Sequence, residues 1–361
     1  MNDTQCDAAH FADAWNDLKT SIERGTVSSP KSPAWEELIR DFRSGGDFRD
    51  IERELFGATR WRSYNFCREH GGHRIDSLRR AWLWLTFLAS AALRRLSGWL
   101  WSPNVGSAVH AHRHVADPVG QSRLMAYPRF EIALKRQDLW RAYRQTCADL
   151  GVTPFSFHTA KLFYVSSVLK SWLRLDPPAG LRVLEIGAGL GNLCVLLQKQ
   201  LPVRQYVILD LPEMVLLSSI TIRHFFPDLP IHFAHLSTDP VLRIPDRGVV
   251  FCYPQDVSRM PSDVFDLAVN VDSFQEMTAA QIDDYFPFVQ RTTKDGGLVL
   301  NLNRRTQVGD FHNNPLLYPY APANEILTWE SDPFMFESLD ISGRRDAHVL
   351  RIERVRKDRT C

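Results

Sequence analysis

Cysteine is sparse and unpaired. The six residues, Cys6, Cys67, Cys147, Cys194, Cys252 and Cys361, form no C-x-x-C motif and have no histidine at zinc-ligand spacing. That excludes a disulfide scaffold and a zinc-finger framework, and reduced thiols are expected in a cytoplasmic setting. Charge of one sign is also missing: 43 basic residues stand against 42 acidic ones, a formal net charge of +1. A chain this close to neutral has no global field to draw in a polyanion, so no nucleic-acid partner is expected. No apolar run is long enough to span a bilayer. The strongest, Ala81 to Leu93 (AWLWLTFLASAAL), is bracketed by Arg79, Arg80, Arg94 and Arg95 and falls short of the about 20 residues a spanning helix needs. The opening MNDTQCDAAH lacks the basic start and apolar core of a secretory signal, and no repeat or low-complexity tract is visible.

What is present is enough apolar material for a sizeable core: 44% hydrophobic and 24% charged residues over a length that suggests two units. Residues 1–125 read as an N-terminal helical region, with patterns such as Ala34 to Phe42 and Ile75 to Trp101, and a linker-like interval from Ser102 to Gln121. Residues 126–180 read as two helices, Arg129 to Leu150 and Ser156 to Leu173, that lead into and cover a ligand site. From 181 to 361 short apolar runs alternate with helical ones. The runs are Arg182 to Ile186, Gln205 to Leu209, Gly248 to Tyr253, Phe265 to Val271, Gly297 to Asn301 and Ala347 to Arg354. That alternation predicts an α/β domain, a mostly parallel Rossmann-like sheet with helices on both faces.

The first strand runs straight into Gly187-Ala188-Gly189-Leu190-Gly191-Asn192 and then a helix. Glycines let the chain turn sharply and approach a ligand, while free amides at a helix start favour an anionic group. The second strand ends in Asp210, a carboxylate placed to accept two hydrogen bonds from a ribose diol. Glu185 precedes the glycines, and Asn192 occupies the place where a dinucleotide fingerprint carries Gly or Ala. The pattern E-x-G-x-G-x-G therefore points to S-adenosylmethionine rather than to NAD, with Gln255 and Asp256 after the third strand placed to meet an adenine edge.

With these motifs, residues 126 to 355 resemble the class I methyltransferases. Three phrases are similar to those of a family of sugar O-methyltransferases from bacterial surface-polysaccharide clusters: Ile208-Leu209-Asp210-Leu211-Pro212-Glu213, Asn270-Val271-Asp272-Ser273-Phe274-Gln275-Glu276-Met277, and Tyr318-Pro319-Tyr320 with Asn324-Glu325. The resemblance implies a sugar hydroxyl as acceptor, a role in polysaccharide or glycoconjugate biosynthesis, and Leu211 and Asn270 among the residues around the cofactor.

In an open parallel sheet the chemistry lies beyond the carboxyl ends of the strands, which puts Asp272 and Glu276 beside the reacting groups. Either could take a hydroxyl proton or bind two hydroxyls; the same D-S-F-Q-E stretch also suits a helix start, with Asp272 as cap and Glu276 completing a capping box. The preferred proton acceptor is His312, in the loop after the fifth strand, since imidazole titrates near neutrality. Arg304, Tyr318 and Tyr320 are candidate substrate contacts, and no metal is expected. His110, His112 and His114 alternate without a carboxylate or cysteine to complete a metal site. The aromatic segment 79–101 is open to weak attachment at the inner membrane surface, and pairing into a homodimer is open too. The cofactor motif leaves the acceptor undecided between a sugar and a small natural product methylated on oxygen or nitrogen, and a non-catalytic binding module remains the reading of a different class.

Overall fold

A computed structural model describes residues 11–24, 81, 84–85, 127–152, 154, 157–173, 180–305, 314–335 and 348–357. His110, His112 and His114, most of segment 79–101 and the loop that carries His312 lie outside these residues. Among the described residues no helix is long and apolar enough to cross a membrane. The chain divides into one unit of Met1–Glu52, Val165–Asp332 and Asp346–Cys361, and another of Arg53–Tyr164 and Pro333–Arg345.

In the second unit, helices α2 (Tyr127–Arg136), α3 (Trp140–Asp149) and the first half of α4 (Phe157–Trp172) gather around aromatic side chains. Phe130, Tyr143, Phe163 and Phe334 are buried there, with Tyr143 at 5.3 Å from Phe163 and Tyr164 stacked on Phe334 at 5.0 Å. Buried Glu131 is not left unpaired: it accepts from Trp84 Nε1 at 3.2 Å and pairs with Lys135 at 2.9 Å. Tyr164 is thus used up in packing.

The first unit is built on eight strands: β1 (Leu181–Ile186), β2 (Val203–Leu209), β3 (Ile231–Phe233), β4 (Gly248–Cys252), β5 (Phe265–Val271), β6 (Thr293–Arg304), β7 (Glu325–Ser331) and β8 (His348–Arg354). They lie in the order β3-β4-β2-β1-β5-β6-β8-β7. The central strands are continuous apolar runs because both faces are covered, and their pairings are parallel. The strand order reverses between β1 and β5, so a crevice opens at their carboxyl ends. The sheet departs from the all-parallel plan at one side, where β8 runs antiparallel to β6 in a register from Leu298↔Arg354 to Arg304↔His348. The first residue of β8 is thereby delivered to the carboxyl end of the parallel strands.

Helices α5 (Asn192–Gln200), α6 (Pro212–Phe225) and α7 (Ala279–Thr292) complete the layers. Leu184, Ile186, Val207, Leu209, Val250 and Ala268 point to the face covered by Ile282, Tyr285, Phe288 and Val289 of α7. Helix α1 (Phe11–Glu23) belongs to this unit: Trp15, fully buried, donates from Nε1 to the Leu216 carbonyl at 3.0 Å, and Phe11 lies 6.1 Å from Phe233. Its apolar residues Phe11, Ala14, Trp15, Leu18 and Ile22 recur at helical spacing on one stripe, which docks on α6.

Glu185, expected at the cofactor, is instead buried beneath the turn. It is 3% exposed and accepts a hydrogen bond from the Tyr206 hydroxyl on β2 at 2.7 Å. Burial pushes its carboxyl from 4.5 up to about 8, the Tyr206 bond opposing and Asp210 adding to the rise. A carboxyl raised in the folded state contributes stability that is fully present below about 4.5 and is lost as pH rises through about 8. Glu185→Gln keeps the acceptor for Tyr206 and removes the titration, so the melting temperature of that variant should fall less than the wild type's between pH 5 and 9, checked by calorimetry across the range. Parallel curves for the two proteins would contradict a neutral, buried Glu185.

Candidate active site

Three positive φ values at alternate positions make the turn after β1: Gly187 at 73°, Gly189 at 58° and Gly191 at 75°. The three glycines are required for different reasons. A Cβ on Gly187 would sit 2.0 Å from the Ser273 hydroxyl oxygen, because the loop after β5 lies directly against the turn. A Cβ on Gly191 would press on Ser218 of α6 at 3.1 Å, so this glycine serves helix packing rather than a ligand. At Gly189 nothing lies within 4 Å of the added carbon, and there the backbone faces open space. Helix α5 begins at Asn192 with Gly191 as its cap residue, which makes no side-chain cap bond. A helix start of this kind turns its amides and its dipole towards an anionic group.

Asp210 stands at the end of β2, half-buried, with each carboxylate oxygen held by a backbone amide. Gly189 N–H donates to Oδ2 at 2.8 Å and Leu211 N–H to Oδ1 at 2.7 Å. Burial pushes this carboxyl from 3.8 up to about 7; the two amides pull it down, and the charges of Glu276 and Glu213 push it further up. Leu211 itself is the residue preceding α6, extended at φ −60° and ψ 144°. An open glycine backbone, an uncapped helix start and a carboxylate across the neighbouring strand end form a cradle of the shape and polarity that an adenosyl group with a ribose diol and an amino-acid carboxylate requires.

Other residues singled out in the sequence hold the site together rather than face it. Asn270, 3% exposed, donates from Nδ2 to the Ile186 carbonyl at 2.9 Å and accepts at Oδ1 from Phe274 N at 3.2 Å and Asn303 Nδ2 at 2.8 Å. It straps strand ends, with its Oδ1 and one Nδ2–H committed to the frame. Asp256 is also corrected: 2% exposed, its Oδ2 accepts from Tyr253 N at 3.0 Å and its Oδ1 pairs with Arg259 at 2.7 Å, so it closes a 3-10 turn. Gln255, beside it, is exposed on that turn. Tyr318 and Tyr320 are not sugar platforms. Tyr318 is buried edge-on to Phe274 at 6.0 Å, and the Tyr320 ring is covered by the Arg351 guanidinium at 3.8 Å while its hydroxyl accepts from Asn301 at 2.8 Å.

The loop after β5 carries the two carboxylates singled out in the sequence, Asp272 and Glu276. Asp272 has φ 59°, in the left-handed region that costs a non-glycine residue about 1–3 kcal/mol, and its amide donates to Leu302 O at 2.8 Å. It does not cap a helix: the capping box is made further on by Thr278 and Gln281 at the start of α7. Glu276 ends the short turn Phe274–Glu276, its amide bonded to Ser273 O at 3.0 Å and its charge felt at Asp210. Arg304, at the end of β6, donates its amide to Gln275 Oε1 at 2.9 Å, and its Nε lies 3.4 Å from His348 Nε2.

Sequence reasoning overlooked Ser273, Gln275, Asn301, Asn303 and His348. The N-L-N alternation in β6 was a legible sign of polar side chains inside a buried strand. Nothing local marked His348, since its position depends on the antiparallel return of β8. Among the described residues no group of three histidines, cysteines, aspartates or glutamates is arranged to hold a metal ion.

The fold is that of the class I methyltransferases. No protein-family model matches the chain, and no curated protein matches it. Among solved structures it is similar to the cyclase SpnF, at 16% identity over 54% of this chain and 80% of that one, with a TM-score of 0.34. A geranyl diphosphate methyltransferase crystallised with its methyl donor gives 12% identity, 57% and 94% coverage and a TM-score of 0.38. The phosphoethanolamine N-methyltransferase 1 of Haemonchus contortus gives 12%, 65% of this chain but only 50% of that one, and 0.36. These likenesses are too distant to argue from; strand order and site geometry carry the fold.

The Gly187–Ser273 contact is testable by a double-mutant cycle. Gly187→Ala should cost roughly 2–4 kcal/mol, the sum of a positive-φ penalty and overlap with Ser273. Adding Ser273→Gly should return the part due to overlap. Chemical denaturation of the four proteins measures it, and strict additivity would mean that the loop does not rest on the turn.

Proposed function

We propose that the chain is an S-adenosylmethionine-dependent O-methyltransferase that acts on a sugar hydroxyl, in the biosynthesis of a bacterial surface polysaccharide or glycoconjugate. The observation that carries the methyl-transfer reading is the apposition of the Gly187–Gly191 turn with the Asp272–Glu276 loop, which Ser273 seats against Gly187. The sugar reading rests on the phrases around Asp210, Asp272 and Tyr318 and on a pair of acceptor-only carboxylates suited to neighbouring hydroxyls.

When bound, the cofactor supplies an electrophilic methyl group on a sulfonium sulfur, which leaves as a neutral thioether. Asp210 would accept from the ribose diol, and the start of α5 would face the amino-acid carboxylate. Glu276 would take a hydrogen bond from the acceptor, and Asp272 would receive the proton of the attacking hydroxyl. Alignment contributes up to about 7–11 kcal/mol in favourable cases, and a positioned base adds on the order of 10²- to 10⁴-fold. Asp272 is taken as the base because its loop lies against the glycine turn.

Calorimetric titration with S-adenosylhomocysteine tests the cradle. A ribose diol needs the ionised form of Asp210, so affinity should be full above pH 8 and fall as pH drops through about 7. Asp210→Asn should bind at least about tenfold more weakly and lose that pH dependence, from the loss of charge-assisted bonds. Wild-type affinity in this variant would remove Asp210 from the site. Donor consumption with nucleotide sugars, free sugars and lipid-linked oligosaccharides should single out one acceptor class, and turnover with Asp272→Asn should drop about 10²-fold or more.

A further inference from the structure

His348 is the one described histidine that the sheet buries completely, and it does so at the catalytic end, paired in register with Arg304. Its Nε2 lies 3.2 Å from Asp272 Oδ1 and 3.4 Å from Arg304 Nε, while its Nδ1 is buried with no hydrogen-bond partner. The two contacts compete. A ring nitrogen that carries a proton can donate to Asp272; one that carries a lone pair can accept from Arg304, and it cannot do both. Accepting from Arg304 would put the only ring proton on Nδ1, a buried donor with nothing to meet, and would turn a lone pair towards the Asp272 carboxylate. Donation to Asp272 leaves only a bare acceptor buried, which proteins tolerate better than an orphaned N–H.

We propose that neutral His348, through Nε2–H, is the positioning residue for Asp272. It holds the carboxylate through one oxygen, Oδ1, and so fixes its direction. The proposal rests on the methyl-transfer reading only for its catalytic consequence. The bare Nδ1 has no group to pass a proton to, so His348 orients the base and does not relay. Asp272 needs such a partner because its left-handed backbone sets the direction of its side chain from a strained position. Among the described residues, the charged groups near it are His348 from β8, Arg304 from β6, and Glu276 on its own turn, with Asp210 of the β2 end coupled to Glu276.

Two measurements test this on the full chain. Nitrogen NMR of the ligand-free protein labelled at histidine, at pH 8, should show the His348 ring protonated at Nε2 and bare at Nδ1, with the Nε2 signal altered by Asp272→Asn. A ring protonated at Nδ1 overturns the proposal whatever the protein's activity. In steady-state kinetics His348→Leu should lower kcat by about 10- to 100-fold with little change in KM, the range for residues that orient a reacting group. His348→Gln, whose amide can donate from the place of Nε2, should recover to within about threefold of wild type. The acid limb of the rate profile should move to higher pH in His348→Leu, since a carboxylate that loses a donor holds its proton more tightly. Equal losses in both variants with an unmoved acid limb would show a packing role only and overturn the proposal. S-adenosylhomocysteine affinity separates the failures: if the wild type does not bind it, the methyl-transfer reading falls while the NMR result still decides the His348–Asp272 bond.

Discussion

One buried side-chain amide, that of Asn270, holds three strand ends and a loop in a fixed relation. Its Nδ2 reaches the last carbonyl of β1, and its Oδ1 takes both the amide that opens the turn after β5 and the side chain of Asn303 on β6. Asn303 hands the chain of bonds to Gln275 N, and Gln275 Oε1 hands it to the backbone of Arg304. Polar groups this deep are costly when half-satisfied and rigid when complete, so the network acts as a frame. The glycine turn, the Asp272 loop and the end of β6 cannot drift apart without leaving a buried donor or acceptor alone.

That frame gathers carboxylates where water is scarce. Glu185 is kept protonated by burial, and Asp210 is poised near neutrality by burial and by the charges of Glu276 and Glu213. Like charges gathered at a half-buried mouth resist ionising together, and a cationic ligand relieves that resistance. Two amide donors on Asp210 temper the effect and fix its oxygens, so electrostatic tuning and geometric positioning come from the same contacts.

Much of the fold was legible because it is written locally. The six apolar runs expected as strands are all present, and the glycine turn falls where its spacing says. Strand β3 escaped notice because it has only three residues, and β7 because an edge strand, exposed along most of its length, needs no apolar alternation. Around the site, legibility fell off with the distance over which a side chain acts. Gly187, Gly189 and Asp210 answer to backbone rules and were found. Asp256, Asn270 and Tyr320 have the right chemistry in the right loops, but their partners Arg259, Asn303 and Arg351 had already claimed them.

The sequence by itself determined where the chain must turn with positive φ, which segments are buried on both faces, and that a carboxylate ends the second strand. These follow from steric and solvation rules that act over a few residues. Tertiary structure alone decided which polar side chains face the crevice. His348 stands 76 residues from Asp272 in sequence and 3.2 Å from it in space, because β8 enters the sheet antiparallel to β6 and so presents its first residue, not its last, to the end where the parallel strands stop. No local pattern encodes that direction; it is set by how the last hairpin closes the sheet.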